Sequence, residues 1–581
     1  MNKKRYKSIL NLTSADARNF FLRSDNYFSG NLPPYFHLSN LLEDAQKILE
    51  TNEIDNKNHL FSISKYSTVS GINYTLLMNK TSNSYRPLTL IHPYLYLDLV
   101  NCLTESKNWS FIIDRFNELY LMSKGKVFCH SVPFVTDSEK SDKKEKSLHF
   151  WNSIEQNSIK LSLNYSYITK VDINNFYSSI YTHTIPWACY GESEAKSRRN
   201  EKQLIGNKLD VKIQSMNYGE TVGLPQGNLV SDFIAELLLA YIDSLLTEKI
   251  KDIDCKILRY RDDYRIFTIN NTHANLIKKE LALILQRHKL SLGESKTESS
   301  SDIINDAIKK DKAYWIEHDP VIKLTSDKIY THPEKWLKRL MGKNVNSLKF
   351  RRFFNKHIGH NRIYKATIQK HLYQIKWLAD NYPNSGQLIG ALDEFENRIS
   401  NFSYKDFEKV GTSINVLVAI IVNIVENNPK IIQIGIKLLS VLFSKLNLET
   451  FVWDWEDIQF SKLGKKNVYE IKTELLQQVL VRLNKKGYSP YLEIWAQRLI
   501  VKNACSGSEI IDTFYDTAKN ELVQLCFEVY KNNSTTIQLF NQDWLKKEYR
   551  IDERKLINTE IIKNLNDIVQ DHEIQLFEYE A

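Results

Sequence analysis

The spacing of apolar and polar residues changes along this chain. Up to about residue 75 the apolar positions follow a helical period, and Thr13 to Asp16 has the form of a capping box ahead of Phe20. Between residues 165 and 300, runs rich in β-branched and aromatic residues alternate with helical stretches. After about residue 335 the strand signals nearly vanish. The pattern therefore predicts an α+β region followed by an α-helical one.

The last part of the chain consists of paired apolar helical stretches that are broken by Asn, Gly and Pro. Such pairs predict a repeat-like α-helical domain. The most apolar stretch, from Ile414 to Val425, is too short to span a bilayer and is interrupted by Asn415 and Asn423, so we expect a buried helix and no membrane. The predicted helices are Ser413–Val425, Ile431–Leu446, Val468–Leu483 and Tyr491–Val501.

The composition is that of a folded globular protein. Of the 581 residues, 42% are hydrophobic and 25% are charged, which excludes a disordered chain, and the 18 glycines and 12 prolines exclude a collagen-like one. The six cysteines are scattered without a CxxC pair, which argues against a disulfide framework or a zinc ribbon. No apolar segment follows the basic N-terminus, so we expect no signal peptide and a cytoplasmic location.

The net charge of +9 is concentrated in one segment. Residues 335–376 hold 12 Lys and Arg and no Asp or Glu, which leaves the rest of the chain at −3. Because basic side chains neutralise phosphates and the interleaved aromatic rings can stack on bases, the segment predicts a nucleic-acid track; a solvated helix face is the alternative. The residues expected to bind nucleic acid are Lys335, Lys338, Arg339, Lys349, Arg351, Arg352 and Lys356.

Four short segments of the α+β region carry the residues suited to chemistry. In the first, an apolar strand ends at Asp172. In the third, two apolar runs flank Asp262 and Asp263, which is a hairpin pattern with carboxylates at the turn. In chain order the segments are Ile168–Tyr177, Gly223–Asn228, Ile257–Phe267 and Leu290–Thr297.

Three of these carboxylates suit a metal site. If one sheet brings Asp172, Asp262 and Asp263 together, their hard oxygens favour Mg²⁺ and their mutual repulsion requires cations. Two such ions activate a 3′-hydroxyl and stabilise a leaving pyrophosphate. We therefore expect a nucleotidyl-transfer site with two Mg²⁺ ions and these three residues as catalytic metal ligands.

The other segments supply groups suited to a nucleotide. An aromatic residue beside Asp172 would exclude a sugar 2′-hydroxyl, and we assign this to Tyr177 with Phe176 packed behind it. Gln226 and the unhindered backbone of Gly227 can approach a base pair or sugar closely. Lys296 would face the triphosphate or protonate the leaving group.

The four segments resemble motifs A, B, C and D of reverse transcriptases, namely DxxxFY, LPQG, YxDD and a late Lys-Thr, in the right order and spacing. The resemblance implies a right-hand polymerase with fingers, palm and thumb, in which the palm carries an antiparallel sheet. It also implies that the backbone carbonyl of Ile173 completes a metal site. Upstream, Tyr85 to Pro93 resembles a fingers motif that would place Lys80 and Arg86 at the triphosphate; a surface Arg fixed beside a turn is the alternative.

The chain departs from the family's usual pattern at one position. Arg261 occupies the second place of YxDD, where a small or apolar residue is usual, and Arg259 and Arg265 flank it. Arg261 would either bind a primer phosphate, restrain a carboxylate, or form a salt bridge that holds the hairpin.

The remaining sequence features favour one group of reverse transcriptases. The chain shows no HNH motif, no RNase H-like carboxylates and no retron marks, whereas a helical C-terminus after a compact polymerase resembles the abortive-infection and defence-associated reverse transcriptases of bacteria. That group implies anti-phage defence in the bacterial cytoplasm. The predicted parts are a helical extension at 1–75, fingers and palm at 76–300, a basic thumb-like segment at 301–376 and the helical domain at 377–581.

The first functional hypothesis is an RNA-directed DNA polymerase that uses dNTPs and an RNA template, such as a dedicated non-coding RNA, and releases a DNA product. Template-independent or protein-primed DNA synthesis by the same site is one alternative. An RNA polymerase on the same palm and a non-catalytic nucleic-acid-binding scaffold are two others. The helical domain would bind a structured RNA, an effector or a second copy in a homo-oligomer.

Overall fold

A computed structural model gives the structure of the protein. It describes residues 6–51, 63–81, 84–136, 153–294, 297–323, 362–364, 367–400, 402–403, 407, 414–446, 468–484, 489–503, 509–531 and 536–560.

The chain forms two compact units. The first contains residues 1–78, 87–309 and 524–578, and the second contains 79–86, 310–523 and 579–581. The four-part division expected from the sequence stays a prediction.

The strands of the described residues are β1 Tyr6–Ser8, β2 Tyr74–Thr81, β3 Ser84–Leu90, β4 Val127–Cys129, β5 Phe134–Thr136, β6 Tyr167–Asp172, β7 Cys255–Tyr260, β8 Asp263–Thr268, β9 Glu298–Ser300, β10 Val321–Lys323 and β11 Arg362–Tyr364. The first unit contains a five-stranded sheet with the order β4-β7-β8-β6-β9. All of its neighbouring strands are antiparallel except β4 and β7, which are parallel. Two-stranded sheets pair β1 with β5 and β2 with β3, and a further one pairs β10 with β11 in the second unit.

The described residues of the first unit also form helices. They are α1 Ser14–Phe21, α2 Ser24–Tyr27, α3 Leu38–Thr51, α4 Ile63–Tyr66, α5 Pro93–Thr104, α6 Ser106–Ser123, α7 153–161, α8 Phe176–Ser179, α9 Thr184–Tyr190, α10 Glu192–Ser197, α11 Ile205–Met216, α12 Leu229–Lys249, α13 Asn271–Arg287 and α14 Ile303–Ala307.

Helix α12 is the central helix of the first unit. It begins after Asn228, whose side-chain oxygen accepts a hydrogen bond from the Ser231 amide at 2.9 Å, as an N-cap should. It packs against α6, α9 and α13. Its residue Phe233 lies among the rings of Phe21, Trp109 and Phe116, so the core is built from aromatic contacts between helices.

The strands of the sheet hold a second part of the core. Tyr165, Ile168, Leu258 and Phe267 form a buried cluster with Ile303 of α14. The sequence patterns for β6 and for the β7–β8 hairpin are confirmed. The N-cap half of the expected capping box is present, because the Thr13 side chain accepts a hydrogen bond from the Asp16 amide.

Residues 536–560 return to the N-terminal helices of the first unit. Backbone amides join His37 to the Leu556 carbonyl at 2.7 Å and Asn558 to the Tyr35 carbonyl at 2.8 Å. The hydroxyl of Tyr94 donates to the Tyr549 carbonyl. These contacts make a late part of the chain a structural element of the same unit as the five-stranded sheet.

The second unit is mainly helical in its described parts. Two buried apolar helices, Ile414–Asn427 and Ile432–Ser444, pack so closely that a Cβ at Gly435 would collide with a methyl group of Val425. The helices expected from the sequence in this region are confirmed. They are α15 Lys310–His318, α16 Ile368–Asn381, α17 Gln387–Ser400, α18 Ile414–Asn427, α19 Ile432–Ser444, α20 Val468–Leu483, α21 Pro490–Asn503, α22 Glu509–Thr517 and α23 Glu521–Tyr530, the last of which crosses into the first unit.

Within the described ranges, no single helix is long and apolar enough to cross a membrane. The bent pair Ile414–Asn427 and Pro429–Ser444 reaches the required length and apolar composition only when its two helices are taken together.

Candidate active site

Two carboxylates meet at one end of the five-stranded sheet. Asp172 is the last residue of β6 and Asp263 is the first residue of β8, and the antiparallel register places them directly opposite each other. The β7–β8 hairpin turns through Arg261 and Asp262, and the amide of Ile173 donates to the Asp262 carbonyl at 3.1 Å. The fold therefore brings the ends of the first and third sequence motifs together.

The fourth motif reaches the same place. The amide of Gly293 donates to the Asp172 carbonyl at 2.7 Å, and the amide of Asn174 donates to the Ser291 carbonyl at 2.8 Å. A Cβ on Gly293 would lie 3.4 Å from the Asp172 carbonyl oxygen and 3.6 Å from its side-chain Oδ2. Gly293 thus lets the chain pass close beside the Asp172 carboxylate.

The donor chemistry at this edge suits Mg²⁺. Asp172 is buried, Asp262 is half-buried and Asp263 is exposed. The opposed residues Asp172 and Asp263 therefore span the boundary between the protein and solvent. Among the residues that the structure describes, no three His, Cys, Asp or Glu side chains are grouped as a metal site. The structure therefore opposes Asp172 and Asp263, whose oxygens are of the kind that a hard cation prefers, with Asp262 and the Ile173 backbone adjoining them, but it does not group all three carboxylates.

Phe176 and Tyr177 follow Asp172 by four and five positions, and Tyr177, which is expected to exclude a sugar 2′-hydroxyl, is called the gate below. Asn175 has left-handed backbone angles (φ 44°) and starts the short helix α8, whose first residues Phe176 and Tyr177 are buried. The Tyr177 carbonyl accepts a hydrogen bond from the Leu224 amide at 2.9 Å, and its hydroxyl donates to Asp232 Oδ1 at 2.6 Å. Burial, and then the nearby Asp232 carboxylate, raise the pKa of Tyr177, so its hydroxyl keeps its proton and donates.

The second motif forms a tight loop ahead of α12. The Gln226 carbonyl accepts from the Thr89 amide at 2.7 Å, and the Gly227 carbonyl accepts from the Ser29 amide at 2.6 Å. Gly227 has φ 112°, and a Cβ there would lie 3.2 Å from the Cβ of Leu88. Glycine is therefore required by the backbone and by the adjoining β3, in addition to the nucleotide role expected for it.

A buried ion cluster lies beneath the hairpin. Arg259 is 1% exposed and contacts Asp243 Oδ2 at 2.7 Å and Glu236 Oε2 at 3.0 Å, both from α12. The Tyr264 hydroxyl also donates to Asp243. Burial raises the pKa of Asp243 even though Arg259 opposes the shift. This cluster attaches both strands of the hairpin to α12.

Arg261 is held at its backbone and at its side chain. Its amide donates to Ser131 Oγ at 2.8 Å and its carbonyl accepts from Arg259 Nη1 at 3.2 Å. Its guanidinium Nη2 lies 2.5 Å from Asp232 Oδ2. Of the roles expected for Arg261, the structure contains a salt bridge, and its partner is on α12.

Other predicted residues lie elsewhere. Lys80 and Arg86 lie on β2 and β3, in the 79–86 stretch that groups with the second unit. The remaining predicted residues lie outside the described ones, namely Lys296, Lys335, Lys338, Arg339, Lys349, Arg351, Arg352 and Lys356.

Three acidic residues of α12, namely Asp232, Glu236 and Asp243, were not predicted to belong to the site. They lie on a mainly apolar helix, where Glu236 and Asp243 are buried and Asp232 is half-buried, and buried acids require cationic partners. Arg259 lies on strand β7 of the neighbouring hairpin, and Arg261 lies in its turn. That combination of buried acids and strand arginines was the available signal.

Comparison with known proteins bears on these motifs. Residues 79–315 match the family model described as "Reverse transcriptase (RNA-dependent DNA polymerase)". No curated protein matches the sequence. The match spans all four motifs and confirms the expected polymerase fold and enzyme class, an RNA-directed DNA polymerase that acts as a nucleotidyltransferase.

Solved structures of telomerase show only a weak likeness. Apo telomerase from Candida tropicalis has 12% identity and a TM-score of 0.27, with 76% of this chain and 68% of that chain covered. Telomerase from Candida albicans, in complex with a TWJ fragment of telomeric RNA, has 10% identity and a TM-score of 0.26, with 77% and 66% covered. Likeness at this level carries no argument about function.

Proposed function

From the reverse transcriptase domain at residues 79–315, we propose that this chain synthesises DNA on an RNA template by two-metal nucleotidyl transfer, with Asp172, Asp262 and Asp263 as the catalytic carboxylates. The observation that carries the proposal is the register that sets Asp172 opposite Asp263 at the turn containing Asp262. Directly opposed residues of antiparallel strands have Cβ atoms about 4.5–5.5 Å apart, close enough to share a cation.

The carboxylates and the Ile173 carbonyl would hold the Mg²⁺ ions, which supply charge stabilisation for the attacking and leaving oxygens. The chain's own contribution is positioning. The β7–β8 hairpin holds Asp262 and Asp263, and Gly293 allows the fourth motif to pass beside Asp172. Tyr177, with Phe176 behind it, would exclude a 2′-hydroxyl.

The remaining contacts to the substrates follow from the motifs. Gln226 and Gly227 would border the base pair or sugar of the incoming dNTP, and Lys296 would face its triphosphate. Lys80 and Arg86 would contribute from the hairpin of β2 and β3. The basic segment at 335–376 would follow the template-primer backbone.

Primer extension with purified protein tests this proposal. Wild type should extend a DNA primer on an RNA template in Mg²⁺, and Asp172→Asn and Asp263→Asn should abolish extension while the far-ultraviolet circular dichroism spectrum of the folded protein is retained. Extension by either variant at the wild-type rate would refute the carboxylate assignment. DNA that forms without template, or stays attached to protein after denaturation, would favour untemplated or protein-primed synthesis instead.

We also propose that the polymerase acts in anti-phage defence in the bacterial cytoplasm. What supports this is the resemblance of the motifs, together with the paired helices at 414–503 that follow the polymerase domain. Expression in a bacterial host should reduce plaque formation by a susceptible phage, and Asp263→Asn should restore it. Equal protection by wild type and variant would show that the polymerase site is not used in defence.

A further inference from the structure

Asp232 joins two of the polymerase motifs through its two carboxylate oxygens. Oδ1 accepts the Tyr177 hydroxyl at 2.6 Å, and Oδ2 lies 2.5 Å from Nη2 of Arg261. Tyr177 belongs to the first motif and Arg261 to the third. Asp232 itself lies in the first turn of α12, where the helix dipole favours a carboxylate.

Tyr177 is buried, and its backbone and ring are held at three specific points. Its backbone is fixed by the hydrogen bond from Leu224, and the ring packs edge-on against Phe176 at 5.4 Å between centroids. The far end of the ring is fixed by Asp232. A hydrogen bond to a charged acceptor is short and strong, so it adds a directional restraint to the packing of the buried ring.

Arg261 places the other end of the link beside the catalytic carboxylates. It precedes Asp262 directly and has left-handed backbone angles (φ 49°), which its hydrogen bonds with Ser131 and Arg259 maintain. These two hydrogen bonds hold the backbone of the turn without the Arg261 side chain, so Asp262 and Asp263 keep their places when Asp232 is lost.

The salt bridge by itself would contribute little stability. The side chains of Arg261 and Asp232 are 37% and 18% exposed, and partly exposed ion pairs are screened by solvent. The importance of this pair therefore lies in the hydrogen bond that Asp232 also accepts from the Tyr177 hydroxyl.

We propose that Asp232 is a positioning residue that sets discrimination between dNTPs and NTPs, because it holds the Tyr177 ring in a fixed relation to the carboxylate turn. This inference rests on the proposed function of the site. Without Asp232, the ring would shift and admit a 2′-hydroxyl, while the carboxylates would still act on dNTPs.

The test compares the ratio of kcat/KM for dNTP to that for NTP in wild type, Tyr177→Phe, Asp232→Ala and the double variant. Each single variant should lower the ratio about 10-fold, the equivalent of a hydrogen bond of about 1.4 kcal/mol. The double variant should lose no more than either single variant, since both remove the same contact. Asp232→Asn keeps an acceptor for the hydroxyl and should retain most of the ratio.

Asp306→Asn is the matched control. Asp306 forms a similarly exposed ion pair with Lys170 in the same unit, at 3.2 Å, and does not contact the gate. It should leave the ratio unchanged.

An Asp232→Ala variant that slows dNTP and NTP incorporation equally, or that acts multiplicatively with Tyr177→Phe, would overturn the inference and leave the polymerase assignment intact. If Asp232→Ala does not fold, Tyr177→Phe alone tests the link, since it removes the same hydrogen bond from its other side, and an unchanged ratio in that variant would overturn the inference. Failure of wild type to incorporate dNTPs, or full activity in Asp172→Asn, would instead refute the proposed function.

Discussion

Asp172 and Asp263 face each other across neighbouring antiparallel strands of the central sheet. Like charges in directly opposed positions destabilise the strand pair, and a divalent cation removes the repulsion. Wild type should therefore melt at a higher temperature in Mg²⁺ than in EDTA, whereas Asp263→Asn should melt at a higher temperature than wild type in EDTA and gain less from Mg²⁺. Thermal unfolding by circular dichroism measures both.

One result of this experiment would contradict binding of Mg²⁺ between Asp172 and Asp263. If Mg²⁺ raises the melting temperature of Asp263→Asn as much as that of wild type, the ion binds elsewhere.

The buried cluster around Arg259 should be essential for stability. Arg259→Met would leave the carboxylates of Glu236 and Asp243 buried without their cation, and breaking a buried pair costs about 3–5 kcal/mol. Arg198→Met, which removes exposed pairs with Glu194 and Glu201, is the control and should scarcely change the melting temperature. Similar melting temperatures for the two variants would show that the Arg259 cluster contributes no more than surface pairs.

Alanine substitutions at two glycines of one loop distinguish the cost of backbone strain from the cost of side-chain crowding. Gly223 and Gly227 both have positive φ, but only at Gly227 would a Cβ crowd Leu88, at 3.2 Å. Each Ala substitution should cost about 1–2 kcal/mol from the backbone, and Gly227→Ala should lower the melting temperature further. Equal losses in the two variants would show that the Leu88 contact is unimportant.

His92 should make the first unit sensitive to acid. It is fully buried beside the rings of Tyr94, Phe540 and Trp544, and burial lowers its pKa to about 3. Below pH 6.5 the unfolded chain takes up a proton that folded His92 does not, so folding is destabilised as the pH falls from about 6.5 towards 3, by roughly 1.4 kcal/mol per pH unit.

His92→Asn tests this effect, since Asn keeps a helix-capping acceptor for the Tyr94 amide but does not titrate. The melting temperature of wild type should fall more steeply between pH 7 and pH 5 than that of the variant. Parallel pH profiles would show that His92 does not titrate on unfolding.

The basic segment is predicted to bind nucleic acid through phosphates. Replacing Arg351, Arg352 and Lys356 by Gln should weaken binding and reduce the slope of log K against log salt by up to about 3. Replacing the exposed Lys249, Lys251 and Lys279 controls for the same change in net charge. Fluorescence anisotropy over a salt series measures the slopes, and an unchanged slope would favour the solvated-face alternative.

The sequence predicted those parts of the site that are local in the chain. The strand that ends at Asp172 and the hairpin around Asp262 and Asp263 follow from apolar runs and turn residues, and the structure confirms both. Their register could not be derived, since it depends on pairing between strands some 90 residues apart.

Contacts between distant segments were not predictable in the same way. The pairing of Arg261 with Asp232 requires the orientation of α12 relative to the hairpin, and one sequence offers no measure of it. Nothing in the spacing of residues 536–560 indicated that they pack on the N-terminal helices, because those contacts join segments about 500 residues apart.

That return of residues 536–560 has a consequence for biosynthesis. A ribosome makes the sheet and its carboxylates first, then the helical unit, and only afterwards the segment that pairs with Tyr35 and His37. Nascent chains cut short before residue 536 lack a part of the polymerase unit, however complete their motifs. Every chain that contains the complete polymerase unit therefore also contains the helical unit, because the helical unit is translated before residues 536–560.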